Sequence, residues 1–160
     1  MAQIILHTRI EAPKERVFDL SRCIELHQDT TASTRERAVA GVTSGLLGLD
    51  EEVTWSAWHL GWRRRLKVRM TRYERPVFFE DSMVEGAFAM MRHEHHFADD
   101  GDAVLMIDRF WFRSPFGVIG RAFDRVFLTG YLRGFLMDRN AGIKRIAESG
   151  EWRRYLQRDE

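Results

Sequence analysis

Residues 114–148 read SPFGVIGRAFDRVFLTGYLRGFLMDRNAGIKRIAE, and this segment decides the fold. Ser114-Pro115 favours the end of a strand and the start of a helix, because proline restricts the residue before it and is tolerated in a first helical turn. No other proline occurs in this segment. The pattern therefore predicts one helix from about Phe116 to about Glu148, far longer than any other element expected in the chain.

Two apolar groups lie on different sides of this predicted helix when its residues are placed at about 100° each. We expect the first group to face a sheet; it comprises Phe116, Ile119, Phe123, Val126, Phe127, Gly130, Gly134, Met137 and Ala141. The second lies on roughly the opposite side and comprises Leu128, Leu132, Leu136, Ile143 and Ile146. This second group needs another cover, which two small N-terminal helices, a C-terminal tail containing Trp152, Tyr155 and Leu156, or the second subunit of a homodimer would supply.

Glycines at positions 130 and 134 require a reason of their own. Each costs a helix roughly 1 kcal/mol relative to alanine, so either close backbone packing or room for a ligand is expected at Gly130 and Gly134. We favour close packing.

Five strands are predicted upstream of the helix, over residues 51–60, 62–73, 77–86, 87–97 and 103–112. Turn signals separate them, and the last turn is expected to be a four-residue loop, Asp99-Asp100-Gly101-Asp102. Short connections of this kind require antiparallel neighbours. Nearer the N-terminus, alternation over residues 3–11 predicts a first strand, followed by two short helices and a strand over residues 35–40. The fold class is therefore α+β, with an antiparallel sheet curved around a long C-terminal helix.

Length and composition favour one domain. A chain of 160 residues with 44% hydrophobic and 31% charged residues can bury a core, and its composition is neither that of a disordered segment nor that of a membrane span. Lys and Arg number 25 against 24 for Asp and Glu, so net charge gives no reason to expect a nucleic-acid partner. We expect a single ligand-binding domain over residues 1–148 and a tail over residues 149–160.

Membrane insertion and secretion are not expected. The longest uncharged run, residues 38–49, is too short to span a bilayer, and the N-terminus lacks the basic and extended apolar regions of a secretory signal. A cytoplasmic location is the default prediction. The one strongly basic segment, residues 63–75, is interpreted as a solvated outer strand, while contact with a membrane through this segment and Trp62 stays open.

Short motifs occur along the chain in a recognisable order. Ile10-Glu11-Ala12-Pro13 and Val17-Phe18-Asp19 join the first strand to the first helix. Later motifs cover the last hairpin, the start of the long helix and its late turns; they are His93-Glu94-His95-His96-Phe97, Asp108, Ser114-Pro115-Phe116-Gly117 and Arg139-Asn140. This order resembles the helix-grip superfamily of START-related and polyketide-cyclase-like domains, also called SRPBCC. The similarity covers residues 3–148 and looks closest to bacterial cyclase/dehydrase-type members.

The resemblance implies an internal cavity between sheet and helix that holds a lipid, a polyketide or another apolar molecule, with catalysis in only some members. It implies no universal catalytic triad, and no cofactor is expected. The first functional hypothesis is therefore the binding, transport or sensing of a hydrophobic small molecule. The alternative is a cyclase or dehydratase that acts on a polyketide-like carbonyl substrate.

The last hairpin indicates where polar groups enter this cavity. If Ala98 pairs with Ala103 around the four-residue loop, His93 lies opposite Asp108. The same register pairs His95 with Met106, Met91 with Phe110, and Ala89 with Phe112 on one face, and this apolar face is the natural cavity lining. Inward positions of the neighbouring strands and of the helix complete the predicted cavity lining. The predicted ligand-binding residues are Trp55, His59, Met70, Met91, His93, His95, Met106, Asp108, Phe110, Phe123 and Phe127.

The pair His93 and Asp108 has several interpretations. The favoured one is a mutually satisfied polar pair in the sheet, because a buried polar group needs a partner. The pair could instead orient a ligand, or it could be catalytic, with His93 and Asp108 in acid–base roles. Together with His95 it also offers the donor types of a two-histidine, one-carboxylate metal centre, although metal binding is the least favoured interpretation and no metal is expected.

Overall fold

The computed structural model describes residues 1–157 and contains seven strands and five α-helices within that range. The strands are β1 (Ala2–Ile10), β2 (Arg37–Gly41), β3 (Glu52–His59), β4 (Trp62–Glu74), β5 (Phe78–Glu85), β6 (Met90–Asp100) and β7 (Ala103–Arg113). They form one antiparallel sheet in the order β1-β7-β6-β5-β4-β3-β2. Two short helices, α1 (Lys14–Ser21) and α2 (Ile24–Thr30), and a single 3-10 turn (Ala32–Thr34) connect β1 to β2.

The C-terminal helix covers residues 117–148 in three consecutive parts. These are α3 (Gly117–Phe123), a wider π-helical segment (Asp124–Leu128) and α4 (Thr129–Glu148). A 3-10 turn (Gly150–Trp152) and α5 (Arg153–Leu156) follow. The part α4 packs against β1, and α1 and α2 pack against α4. The predicted fold class, an antiparallel sheet with a long C-terminal helix and two short helices after the first strand, is confirmed.

The predicted register of the last hairpin is wrong by two residues. Asp100 pairs with Ala103 across a two-residue turn, in which Gly101 has a φ of +63°. His95 therefore lies opposite Asp108, and His93 lies opposite Phe110. The strands continue through the two aspartates because a glycine with positive φ closes a two-residue hairpin turn well. A shift of two residues keeps each side chain on its face, so the predicted inward face is unchanged.

The predicted orientation of the C-terminal helix is wrong in part. The second apolar group, which was expected to need another cover, is the buried one: Leu128, Leu132, Leu136, Ile143 and Ile146. The large members of the first group are all exposed, but they divide: Phe116, Ile119 and Phe123 line the pocket between sheet and helix, whereas Val126, Phe127 and Met137 do not. Both sides of the N-terminal half are apolar, so periodicity alone could not choose between them. The π-helical segment also changes the angular spacing that the prediction assumed.

Close packing does not explain the two glycines. Apart from neighbouring backbone of the helix itself, a methyl group added to Gly130 or Gly134 would meet no heavy atom of residues 1–157 within 4 Å, so the packing prediction is wrong. Close approach instead occurs at Gly142, where an added Cβ would lie 2.5 Å from Thr30 Cγ2. The helix therefore contacts α2 through its C-terminal half.

The tail covers part of the domain. Trp152 and Leu156 pack against the core, and Tyr155 is buried and donates a hydrogen bond from its hydroxyl to Asp29 Oδ2 at 2.7 Å. Residues 158–160 of the predicted tail lie outside the described residues. None of the helices in residues 1–157 is both long enough and apolar enough to cross a bilayer.

Candidate functional site

A large pocket lies between the inner face of the sheet and the C-terminal helix, with a volume of about 750 Å³. Its wall is mostly apolar and includes Trp55, Met70, Phe79, Phe110, Leu132 and Leu136. The alternation of β3, β4, β5 and β7 directs the first four of these side chains inward, and α4 carries the two leucines. The histidines of this wall belong to two groups of polar side chains.

The first group, which we call the Asp108 network, consists of His93, His95, Asp108, Arg139 and Asn140. Asp108 is almost fully buried, and its Oδ1 accepts a hydrogen bond of 3.0 Å from His93 Nε2. Its Oδ2 accepts a hydrogen bond of 2.6 Å from Asn140 Nδ2, and Arg139 Nη1 lies 3.7 Å from Oδ1. His95 Nδ1 lies 2.9 Å from Oδ1, although its direction is too bent for a hydrogen bond. One carboxylate thus organises two strands and the helix.

The charges in this network are set by burial and by the contacts with Asp108. Burial opposes the charge on Asp108, but the contacts with His93 and His95 hold the pKa of its carboxyl well below the usual range. Burial, reinforced by the neighbouring His95, lowers the pKa of His93 to about 4. Burial also opposes a charge on His95, but the Asp108 and Asp81 carboxylates outweigh it and raise the pKa of His95. His93 is therefore the neutral histidine, and His95 is the one that favours a proton.

The tautomer of His93 follows from this charge distribution. Because the Asp108 carboxylate can only accept, His93 Nε2 carries the hydrogen, and Nδ1 of the neutral ring keeps its lone pair. This second nitrogen has no hydrogen-bond partner among residues 1–157, and His93 lines the pocket. His93, a residue of the pocket wall, therefore has a ring nitrogen that can accept a hydrogen bond.

Asp81 adds a second acceptor beside it. Its Oδ2 lies 3.6 Å from His95 Nε2, and its buried Oδ1 has no hydrogen-bond partner within the described part of the chain. Asp81 also lines the pocket. A buried polar atom without a partner is unfavourable unless a ligand or water satisfies it, so this corner of the pocket is suited to a hydrogen-bond donor.

The same residues have the donor types of a metal centre. Ligand atoms of His93, His95 and Asp108 all lie within 4.8 Å of one another. Two features oppose this use: both carboxylate oxygens of Asp108 already accept hydrogen bonds, and the Arg139 guanidinium would face the cation. The arrangement fits a hydrogen-bonded network better than a metal centre.

The second group, which we call the His59 group, consists of His27, Glu36, His59 and Tyr131, and all four residues line the pocket. His27 Nε2 and the buried Glu36 Oε2 are 2.9 Å apart, and the His27 ring stacks on Trp55. His59 Nδ1 and the Tyr131 hydroxyl are 2.8 Å apart. Burial lowers the pKa of His59 and raises the pKa of Tyr131, so both side chains are held neutral.

The two groups lie well apart. Tyr131 and Arg139 are on the same helix α4, and their separation of eight residues corresponds to a rise of about 12 Å. On the facing wall, β3 carries His59 and β6 carries His93, and two strands lie between them. Leu132 and Leu136 lie between Tyr131 and Arg139 on α4, Met70 is on the intervening strand β4, and all three line the pocket.

Most of the predicted ligand-binding residues line the pocket, namely Trp55, His59, Met70, Met91, His93, His95, Phe110 and Phe123. Three do not. Asp108 lies behind the two histidines, and Met106 is fully buried, with its Sδ 3.5 Å from the Ser21 hydroxyl. Phe127 is about half exposed and does not line the pocket itself, although its ring lies beside those of Phe123 and Tyr131, which do.

Sequence reasoning missed several polar residues of the pocket. Glu36 stands next to a predicted strand start and resembles an ordinary exposed strand residue, and Tyr131 falls between the two apolar groups of the helix. Asp81 would have been found by applying the same alternation to β5, because Asp81 pairs with His93 in the sheet. Arg139 stood out only as part of a motif. Its contact with Asp108 joins elements that are far apart in the chain.

Comparisons with known proteins were made at the levels of sequence and structure. No family model matches the sequence, and no curated protein matches it. Solved structures do match. TTHA0849 from Thermus thermophilus has a TM-score of 0.74 at 15% identity, over 90% of this chain and 95% of that chain.

Two further matches extend this similarity. A START superfamily protein from Mycobacterium smegmatis has a TM-score of 0.68 at 11% identity, over 89% of this chain and 97% of that chain. Major latex-like protein 151 from Panax ginseng has a TM-score of 0.67 at 16% identity, over 92% of this chain and 98% of that chain. Identities this low establish a common architecture without a common activity. The chain therefore has the helix-grip fold of the START-related proteins that its sequence resembles.

Proposed function

We propose that the pocket binds an elongated, mostly apolar small molecule that carries a hydrogen-bonding group at each end. The observation that carries this proposal is the rise of about 12 Å along α4 from Tyr131, in one polar group, to Arg139, in the other. A single polar corner would suit a molecule with one polar end. Two polar corners with an apolar wall between them suit a molecule that is polar at both ends.

The size and composition of the pocket support this proposal. A volume of about 750 Å³ lies within the range of small-molecule sites, which is roughly 300 to 1,000 Å³. Such sites combine aromatic and aliphatic walls with a few polar groups that fix the orientation of the ligand. Burying the apolar body would supply most of the affinity, at about 25 cal/mol for each Å² removed from water.

The chemistry of each polar group indicates the ligand groups that it would take. At the Asp108 network, His93 Nδ1 and Asp81 Oδ1 both accept hydrogen bonds, so this end favours a donor such as a hydroxyl. At the His59 group, the Tyr131 hydroxyl can donate or accept, so this end accommodates a hydroxyl or a carbonyl. A long diol or hydroxyketone, such as a lipid or polyketide derivative, has this pattern.

Acid–base catalysis is the second candidate, and the contact between His93 and Asp108 favours it. A histidine held by a carboxylate with its other nitrogen free has the geometry of a general base. The low basicity of His93 argues against this role. Its pKa of about 4 makes it a poor base near neutral pH, whereas a catalytic base that works there has a pKa close to 7. We therefore place binding first and a cyclase or dehydratase activity second.

Titration calorimetry with two probes tests the binding proposal. The probes are decanediol with a hydroxyl at each end and decanol with only one. We expect both to bind, and we expect the diol to bind at least as tightly although it is the more water-soluble molecule. An ordinary apolar pocket would favour decanol, because the second hydroxyl would lose its hydration without gaining a partner. Clear preference for decanol would overturn the proposal.

A further inference from the structure

The N-terminal half of the C-terminal helix presents a large apolar surface to solvent. This surface, which we call the helix patch, consists of Phe116, Val118, Ile119, Phe123, Val126 and Phe127. Phe116 is 84% exposed and Val126 is 87% exposed. Single exposed apolar side chains are common on proteins, but six large ones within twelve residues of one helix indicate an interaction site.

No other segment of residues 1–157 covers the helix patch. The tail residues Trp152 and Tyr155 pack against the core instead, and apart from neighbouring backbone of the helix no described heavy atom lies within 4 Å of a Cβ built at Gly130. Phe116 also has a φ of +74°, an unusual conformation for a bulky side chain.

The exposed charges on the helix itself are all positive within residues 116–137. Arg121, Arg125 and Arg133 are exposed there, and an exposed acidic residue follows only at Asp138. The one acidic residue within 116–137 is Asp124, which is buried and accepts a hydrogen bond of 3.0 Å from the Ser114 backbone N–H. This part of the helix therefore combines apolar side chains with net positive charge.

The helix patch also borders the entrance of the pocket. Phe116, Ile119 and Phe123 belong to the patch and line the pocket as well. Leu60, at the tip of the β3–β4 hairpin, lines the same pocket and is exposed, and the nearby Trp62 is 69% exposed. A partner bound to the patch would lie next to the opening.

We propose that the helix patch docks the protein onto the surface of a bilayer that contains anionic phospholipids. Apolar side chains enter the boundary between headgroups and acyl chains, and the arginines contact the lipid phosphates. A second copy of the chain fits less well. A two-fold dimer would bring the patch against itself and place Arg121 and Arg125 near their own counterparts. Docking of this kind is peripheral and needs no membrane-spanning helix.

Vesicle flotation tests this proposal with phosphatidylcholine vesicles and with vesicles of phosphatidylcholine and phosphatidylglycerol. We expect the wild-type chain to float with the anionic vesicles and only weakly with the neutral ones, and we expect high salt to reduce the difference. Absence of binding to anionic vesicles, or equal binding to both kinds, would overturn the proposal.

Matched variants assign the binding to the helix patch. Val118→Ser with Val126→Ser should lower partitioning onto anionic vesicles about tenfold, whereas Val39→Ser with Val84→Ser, at exposed valines of the sheet, should change it little. Arg121→Glu with Arg125→Glu should abolish the preference for anionic vesicles, and Arg65→Glu on the outer sheet should not. Equal losses in the patch and control variants would contradict the assignment.

Two controls distinguish membrane docking from self-association and from ligand binding. Light scattering should show that the wild type is a monomer; a dimer that Val126→Ser dissociates would overturn membrane docking in favour of self-association. Val118 and Val126 do not line the pocket, so binding of decanediol should persist in the double variant. Vesicle binding without decanediol binding would contradict the proposed function and leave docking intact.

Discussion

The Asp108 network and the His59 group line one pocket but are built differently. Asp108 is fully buried and contacts His93, His95, Arg139 and Asn140, so several elements depend on one carboxylate. The His59 group consists of two separate pairs. One of them, between His59 and Tyr131, is only half-buried. We infer that the Asp108 network stabilises the fold and also contributes to the proposed ligand site. The pair of His59 and Tyr131 contributes mainly to the ligand site.

The largest expected difference between the two groups is in stability. Asp108→Asn removes the negative charge that faces His95 and Arg139, and leaving buried cations without a counterion should lower the free energy of unfolding by about 3 kcal/mol. Glu36→Gln, the corresponding change in the His59 group, should lower it by about 1 kcal/mol. Urea unfolding at neutral pH measures both. Equal losses of unfolding free energy in the two variants would contradict the distinction between the Asp108 network and the His59 group.

A smaller difference is expected in the dependence of stability on pH. His93 has a pKa of about 4 in the folded protein, against an ordinary value of 6.5. The unfolded chain therefore takes up this proton first, so the stability that His93 contributes is complete above pH 6.5 and decreases as the pH falls towards 4. Between about pH 7 and about pH 4.5 the loss should be about 2 kcal/mol.

The variant His93→Gln isolates this contribution. The difference in free energy of unfolding between the wild type and this variant, measured with urea, should shrink or reverse as the pH falls. The raised pKa of His95 acts with the opposite sign: its contribution is complete below pH 6.5 and is lost as the pH rises through the folded value. His59→Gln should remove less of the acid dependence, since His59 is less buried. A parallel pH dependence in wild type and His93→Gln would contradict the assignment.

The smallest expected effect concerns the ligand. Tyr131→Phe removes one hydroxyl at the His59 group and should weaken binding of decanediol about fivefold, equivalent to one hydrogen bond of about 1 kcal/mol. It should change decanol binding less and leave stability almost unchanged. Tyr73→Phe is the matched control, because Tyr73 does not line the pocket. If the two variants affect decanediol equally, Tyr131 does not contact the ligand.

The sequence predicted the fold well because its determinants are local. Pro115 and the turn glycines mark where elements end, and alternation identifies the strands. The inward face of β6 was also correct, since His93 and His95 are two residues apart and share a face in any register. The exact pairing of β6 with β7 was not predicted correctly, because Asp99 and Asp100 suit a turn as well as the end of a strand.

The parts that could not be predicted depend on contacts between distant elements. Leu132 and Val126 are equally apolar, so only packing against the sheet decides which of them is buried. Likewise Glu36 and Tyr131 become pocket residues only when α2, β2 and α4 converge. Local patterns identify which residues can be inside, and the assembled tertiary structure selects among them.

A crystal structure of the decanediol complex tests the central claim most directly. We predict that one hydroxyl lies within hydrogen-bond distance of His93 Nδ1 or Asp81 Oδ1, that the other lies near the Tyr131 hydroxyl, and that the chain passes Met70 and Leu136 between them. A diol with both hydroxyls in solvent, or one bound outside the pocket, would contradict the account.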